Sequence, residues 1–132
     1  MTQEEKDKLI SLFDAPQRWC HEVDARDVFG DSVPFDDEKA VAWDIVGALC
    51  HLFGWVRACE LFIPVGRHFV GPHLSQLLQN PDMVAMGELQ EFNDHADTTF
   101  ELLIAKLRQM PVWLEALPGN KVIGTASGGP RS

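Results

Sequence analysis

The chain has 132 residues, 45% of them hydrophobic and 23% charged, with a formal net charge of −9. That length suits one hydrophobic core and is short for two, and the composition excludes wholesale disorder. The acidity speaks against direct nucleic-acid binding, which calls for a basic footprint. It is unevenly placed: residues 1–38 hold eleven acids against four Lys or Arg (−7), residues 82–110 hold six against two (−4), and the other two stretches are +1 each.

In chain order, Thr2 and Glu5 have capping-box spacing, and Leu9, Ile10, Leu12 and Phe13 supply the apolar stripe of a first helix ending at Asp14-Ala15-Pro16. Helical period is lost over residues 18–35, where Phe29-Gly30-Asp31 has turn chemistry between runs at Val28 and Val33, so a small β-hairpin or ordered loop is expected. Asp36-Asp37-Glu38 offers an N-cap to a helix over about 38–53, apolar nearly all round and therefore expected at the centre of the fold, with Gly54 as its stop. A short helix over 55–62, broken by Ile63-Pro64-Val65-Gly66, and a helical stretch over 72–78 follow. Asn80-Pro81 opens another helix toward Phe92. Thr98 and Glu101 cap a last one, whose buried stripe is Phe100, Leu103, Ile104, Leu107 and Met110. Pro111 ends it or begins a helical turn through Trp113 and Leu117. The expectation is a mainly α single domain over 1–117, with five or six helices around the 38–53 helix, and a flexible Gly/Ser/Pro-containing tail over 118–132.

The segment from Arg18 to Asp31 concentrates reactive, charged and aromatic side chains, yet no catalytic template fits it. Cys20 with His95 and Asn93 or Asp94 has the residue types of an activated thiol, but Glu22 and Asp24 would oppose a thiolate. Cys20, His21, Cys50 and His51 lack zinc spacing, and Asp24, Asp27 and Asp31 do not fit a calcium loop, so no metal or cofactor is expected. Arg26-Asp27 reads as an ion pair holding the hairpin, and Asn93-Asp94 as a helix cap. Asp44 and His51, seven residues apart on an apolar helix, must be solvated or paired. Trp55, Phe69 or Trp113 would be an interface anchor if exposed.

Three cysteines without framework spacing read as reduced thiols. The acidic start Met1-Thr2-Gln3-Glu4-Glu5 does not resemble a signal sequence, and no apolar run approaches the ~18 residues of a membrane span. A cytoplasmic protein is expected.

Trp19-Cys20, Ala25-Arg26-Asp27 with Gly30 and Val33, Ala40 and Trp43 leading into Gly47-Ala48-Leu49, and Asn93-Asp94 before a final amphipathic helix form an ordered series. It resembles the domain of unknown function 6197 family, small proteins of bacteria and their phages, over roughly residues 5–110. Where that family often has Cys after the aromatic residue this chain has Asp44, and where it often has Trp this chain has Phe92. The resemblance implies an arrangement without a catalytic mechanism.

The expected function is therefore a non-enzymatic interaction or regulatory module binding a protein with a basic surface. With the resemblance, that extends to a phage or mobile-element inhibitor, anti-CRISPR-like, of a nucleic-acid-binding complex. Its surface candidates are Trp19, Glu22, Asp24, Arg26, Asp27, Asp31, Asp36 and Asp37. The alternative is a small enzyme or ligand-binding protein whose pocket gathers Cys20, His21, Asp44, His51 or His95, with Asn93 and Asp94 beside them.

Overall fold

The computed structural model describes residues 1–71 and 80–112. The expected stretch at 72–78, the turn through Trp113 and Leu117, and the tail at 118–132 lie outside the described residues.

The protein is mainly helical, with a small three-stranded antiparallel sheet. Helix α1 (Gln3–Leu12) starts at the expected capping box: Thr2 Oγ1 accepts from the Glu5 amide at 3.1 Å, and Glu5 Oε1 accepts from the Thr2 amide at 3.0 Å. Pro16 then begins a single 3-10 turn, Pro16–Arg18. The hairpin region forms strands β1 (Ala25–Arg26) and β2 (Ser32–Val33), with Ala25 opposite Val33. A third strand, β3 (Ala42–Trp43), pairs with the other side of β1, giving the order β2-β1-β3.

That third strand overturns the first part of the helix expected over 38–53, which begins at Ile45 instead. The Val41 amide donates to the Arg26 carbonyl at 2.9 Å and the Asp44 amide to the Asp24 carbonyl at 3.1 Å, so this run completes the sheet. Ala42 and Trp43 point to opposite faces and both are buried, so the strand is covered on both sides. Asp37, expected at a helix N-terminus, instead closes a turn by accepting from the Lys39 amide at 2.7 Å.

Helix α2 (Ile45–Phe69) begins after Asp44 and absorbs two expected helices. Gly54 interrupts it where a stop was expected: its φ of +83° and ψ of 162° are non-helical, a conformation open to glycine at little cost, and two helical segments meet there across a kink. Pro64 does not break it. Val65, Gly66 and Phe69 beyond it are buried, and Ala85 lies against Gly66, so tertiary packing offsets the roughly 3 kcal/mol a helical proline costs. The described residues thus hold four α-helices rather than five or six. At 25 residues and mean hydropathy 1.4, α2 does reach the length and composition of a membrane span, which no single apolar run was expected to do. Half of that stretch is buried inside the protein, so the helix does not stand at the centre of the fold as expected.

Helix α3 (Pro81–Asp94) packs chiefly on α2 and carries Ala85, Leu89 and Asn93 into the interior. Asn80 precedes it in the left-handed region and makes no side-chain cap. In α4 (Phe100–Gln109) the cap is Thr99, one residue later than expected, accepting from the Leu102 amide at 3.1 Å. Leu103, Leu107 and Met110 are buried as the stripe requires, while Phe100 and Ile104 are partly covered. Lys6 fastens α1 to the end of α4 by donating to the Arg108 and Met110 carbonyls, both at 2.8 Å.

Candidate functional site

Cys20, Asp44, Asn93 and Asp94 meet where the sheet, the start of α2 and the end of α3 converge, with Asn93 at the centre; His51 and His95 do not join them. The side chain of Asn93 is fully buried, and Oδ1 accepts from Trp19 Nε1 at 2.6 Å and from the Ile45 amide at 3.1 Å. Its Nδ2 donates to the Cys20 carbonyl at 3.0 Å and to Asp94 Oδ1 at 2.9 Å. One carboxamide thus ties three chain segments together: Trp19-Cys20, the start of α2 and the end of α3. Asn93 and Asp94 are not the N-cap of α4; they lie in the last turn of α3. Asp94 Oδ1 also accepts from the Glu22 amide at 2.9 Å, holding Glu22 at φ +74°, a strained value for a non-glycine residue.

Asp44 is the N-cap of α2, with Oδ1 accepting from the Gly47 amide. It is 2% exposed. Burial pushes its carboxyl up to about 8 despite that amide, and Asp24 and Asp94 add repulsion. Asp24 is raised too, by its own burial. The expected polar stripe on α2 is not there: Asp44 precedes the helix, and His51 is exposed, stacked on Trp43 at 4.5 Å, with Nδ1 3.2 Å from the Phe35 carbonyl oxygen.

A raised folded pKa means that the folded chain holds the Asp44 proton more tightly than the unfolded chain. Its contribution to stability is complete below the unfolded value, near 3.8, and is lost as pH rises through about 8. Asp44→Asn keeps the acceptor for Gly47 and removes the ionisation. Urea denaturation at about pH 6 and about pH 9 should show the wild-type midpoint falling more than that of Asp44→Asn. Equal falls would place the loss elsewhere.

The remaining candidates serve the backbone or packing. Cys20 is buried and its Sγ lies 3.6 Å from the Val23 carbonyl oxygen; burial pushes the thiol up to about 12, with Asp44 adding to the shift. His21 packs its ring on Trp19 at 4.3 Å, whereas His95 is exposed and faces Asp97 at 3.9 Å. Arg26 and Asp27 form no clasp with one another. Arg26 donates to the Gly30 carbonyl at 2.7 Å and the His21 carbonyl at 3.1 Å, while Asp27 Oδ1 accepts from the Phe29 and Asp31 amides at 2.9 and 3.0 Å.

Open clefts lie along α1 beside Leu52, along α4 between Phe100 and Arg108, and beside the hairpin between Glu22 and Val33. None of these three is lined by Cys20, Asp44, His51 or His95. Among the described residues no three His, Cys, Asp or Glu side chains are grouped to hold a metal ion.

Sequence reasoning missed the most exposed aromatic side chain among the described residues. Phe29 is 86% exposed and Val28 72%, both at the tip of the hairpin. The signal was present in Val28-Phe29-Gly30, two apolar residues placed in a turn. Trp19, by contrast, is half-buried with its indole N–H committed to Asn93, and Phe69 is buried.

Every residue in the resembling series that Asn93 or Asp94 touches, Trp19 and Cys20 among them, belongs to this junction. No family model matches the chain, and neither a curated protein nor a solved structure shows a significant likeness to it.

Proposed function

We propose that the protein is a non-enzymatic binding module whose acidic hairpin region engages a basic protein surface. The observation that carries this is the division of labour around the hairpin. Cys20, Arg26, Asp27, Asp44, Asn93 and Asp94 spend hydrogen bonds on the backbone, whereas Glu22, Asp31, Asp36 and Glu38 face solvent. A one-signed surface accelerates encounter with an oppositely charged partner and repels nucleic-acid phosphate. A basic partner that itself contacts nucleic acid fits this chemistry, and the family resemblance extends the proposal to an inhibitor of such a complex in a bacterial or phage setting, acting in the cytoplasm.

The test is capture from an extract of the source cells with the full chain as bait, washed in steps of rising salt. A basic protein retained at low salt and released as screening sets in is the expected result. Retention of neutral or acidic proteins alone, or of nothing released by salt, would contradict the reading.

A further inference from the structure

We infer that Phe29, with Val28 beside it, is an apolar anchor that inserts into a pocket rimmed by Lys and Arg side chains on the partner protein; this rests on the acidic-module reading above. Two adjacent large apolar side chains at the tip of a turn gain nothing for the fold when 86% and 72% exposed. Aromatic residues in such positions are what interfaces use as hot spots.

The tip is rigid before any partner arrives. The Asp27 amide donates to the Asp31 carbonyl and the Gly30 amide to the Asp27 carbonyl, both at 3.0 Å. Asp27 Oδ1 collects the Phe29 and Asp31 amides, and Arg26 locks the Gly30 carbonyl from behind. Gly30, at φ +84°, supplies the left-handed residue that the turn needs. A preformed turn avoids the entropy loss of ordering a loop on binding.

The surrounding charge fixes the partner's chemistry. From Glu22 to Glu38 there are seven carboxylate residues and one cation, Arg26, whose guanidinium is turned onto backbone carbonyls. An apolar pocket with a basic rim complements both parts of the tip. A second copy of this chain, itself at −9, does not. Among the described residues the other adjacent exposed apolar pair, Trp55 and Val56 at 49% and 75%, differs: Trp55 rests on Phe62 at 6.0 Å between ring centres, and the next residue, Arg57, bridges Glu5 and Glu60.

The full chain carrying the photo-crosslinker p-benzoylphenylalanine in place of Phe29 is irradiated in low-salt extract and the crosslinked peptide sequenced. The protein so identified is then purified and titrated against wild type, Phe29→Ala and Val56→Ser. Expected are a crosslink within a segment bearing Lys or Arg, a loss of about tenfold or more in affinity for Phe29→Ala with an unchanged salt slope, and no loss for Val56→Ser. A crosslink to a second copy, no crosslink, or full affinity of Phe29→Ala overturns the anchor. If the wild-type chain still binds a basic protein in a salt-dependent way, the acidic-module reading survives that failure; if it does not, both fall.

Discussion

Asn93→Ala is expected to lower folding stability by about 3–5 kcal/mol, because each buried group left without a partner costs about 1–3 kcal/mol. Three groups lose theirs at once: the Trp19 indole, the Ile45 amide and the Cys20 carbonyl. Against a typical total of about 5–15 kcal/mol, such a variant sits near the edge of folding. Asn93→Asp should be nearly as damaging, since it keeps the acceptor but loses the donor and adds a charge where burial already penalises Asp44. Trp19→Phe removes one of these hydrogen bonds and trims a half-buried ring that packs on His21 and Phe100, so a smaller loss of about 1–2 kcal/mol is expected. Urea denaturation distinguishes these, and a loss for Asn93→Ala no greater than for Trp19→Phe would show that the amide is not the tie described.

Local signals in the sequence were legible at α1 and at the hairpin turn, where a few neighbouring residues decide the outcome. Thr2 and Glu5 cap α1 within a span of four residues, and the turn at Phe29-Gly30-Asp31 closes through Asp27, two residues before Phe29. The start of α2 was not legible, because the competition there is tertiary. Residues 38–44 can serve a helix by pattern, but Arg26 and Asp24 offer carbonyls that draw Val41 and Asp44 into a strand. Residues brought together over long sequence separations, such as Trp19 with Asn93, had no local signature beyond their polar side chains. The same holds for Arg26 and Asp27, whose adjacency suggested a pair although each turns to the backbone.

Gly47→Ala carries the second large effect. In an ordinary helix this exchange gains about 1 kcal/mol. Here the new Cβ would overlap the Asp24 carbonyl oxygen and lie 2.8 Å from its carbon, and it would stand 3.0 Å from Asp44 Oδ1. The Asp24 atoms are backbone, held by the Asp44 amide at 3.1 Å, so relief requires moving the sheet away from α2. A net loss of about 3 kcal/mol is expected, toward or beyond the upper end of ordinary overpacking. Gly87→Ala in α3, where nothing lies within 4 Å of the added atom, should instead gain up to about 1 kcal/mol. Thermal melts of the two variants should therefore shift in opposite directions. A stabilised Gly47→Ala would mean that the hairpin does not press on the start of α2.

These stability effects belong to the inner side of the hairpin, and binding belongs to its outer side. The separation is the core of the account. It is tested most directly by Asp31→Lys/Asp36→Lys/Glu38→Lys in the full chain, three exposed acids, with the melting temperature and the capture of a basic partner at low salt measured on the same preparation. A melting temperature close to wild type with binding lost is the predicted result; undiminished, equally salt-sensitive binding by the folded variant would contradict it.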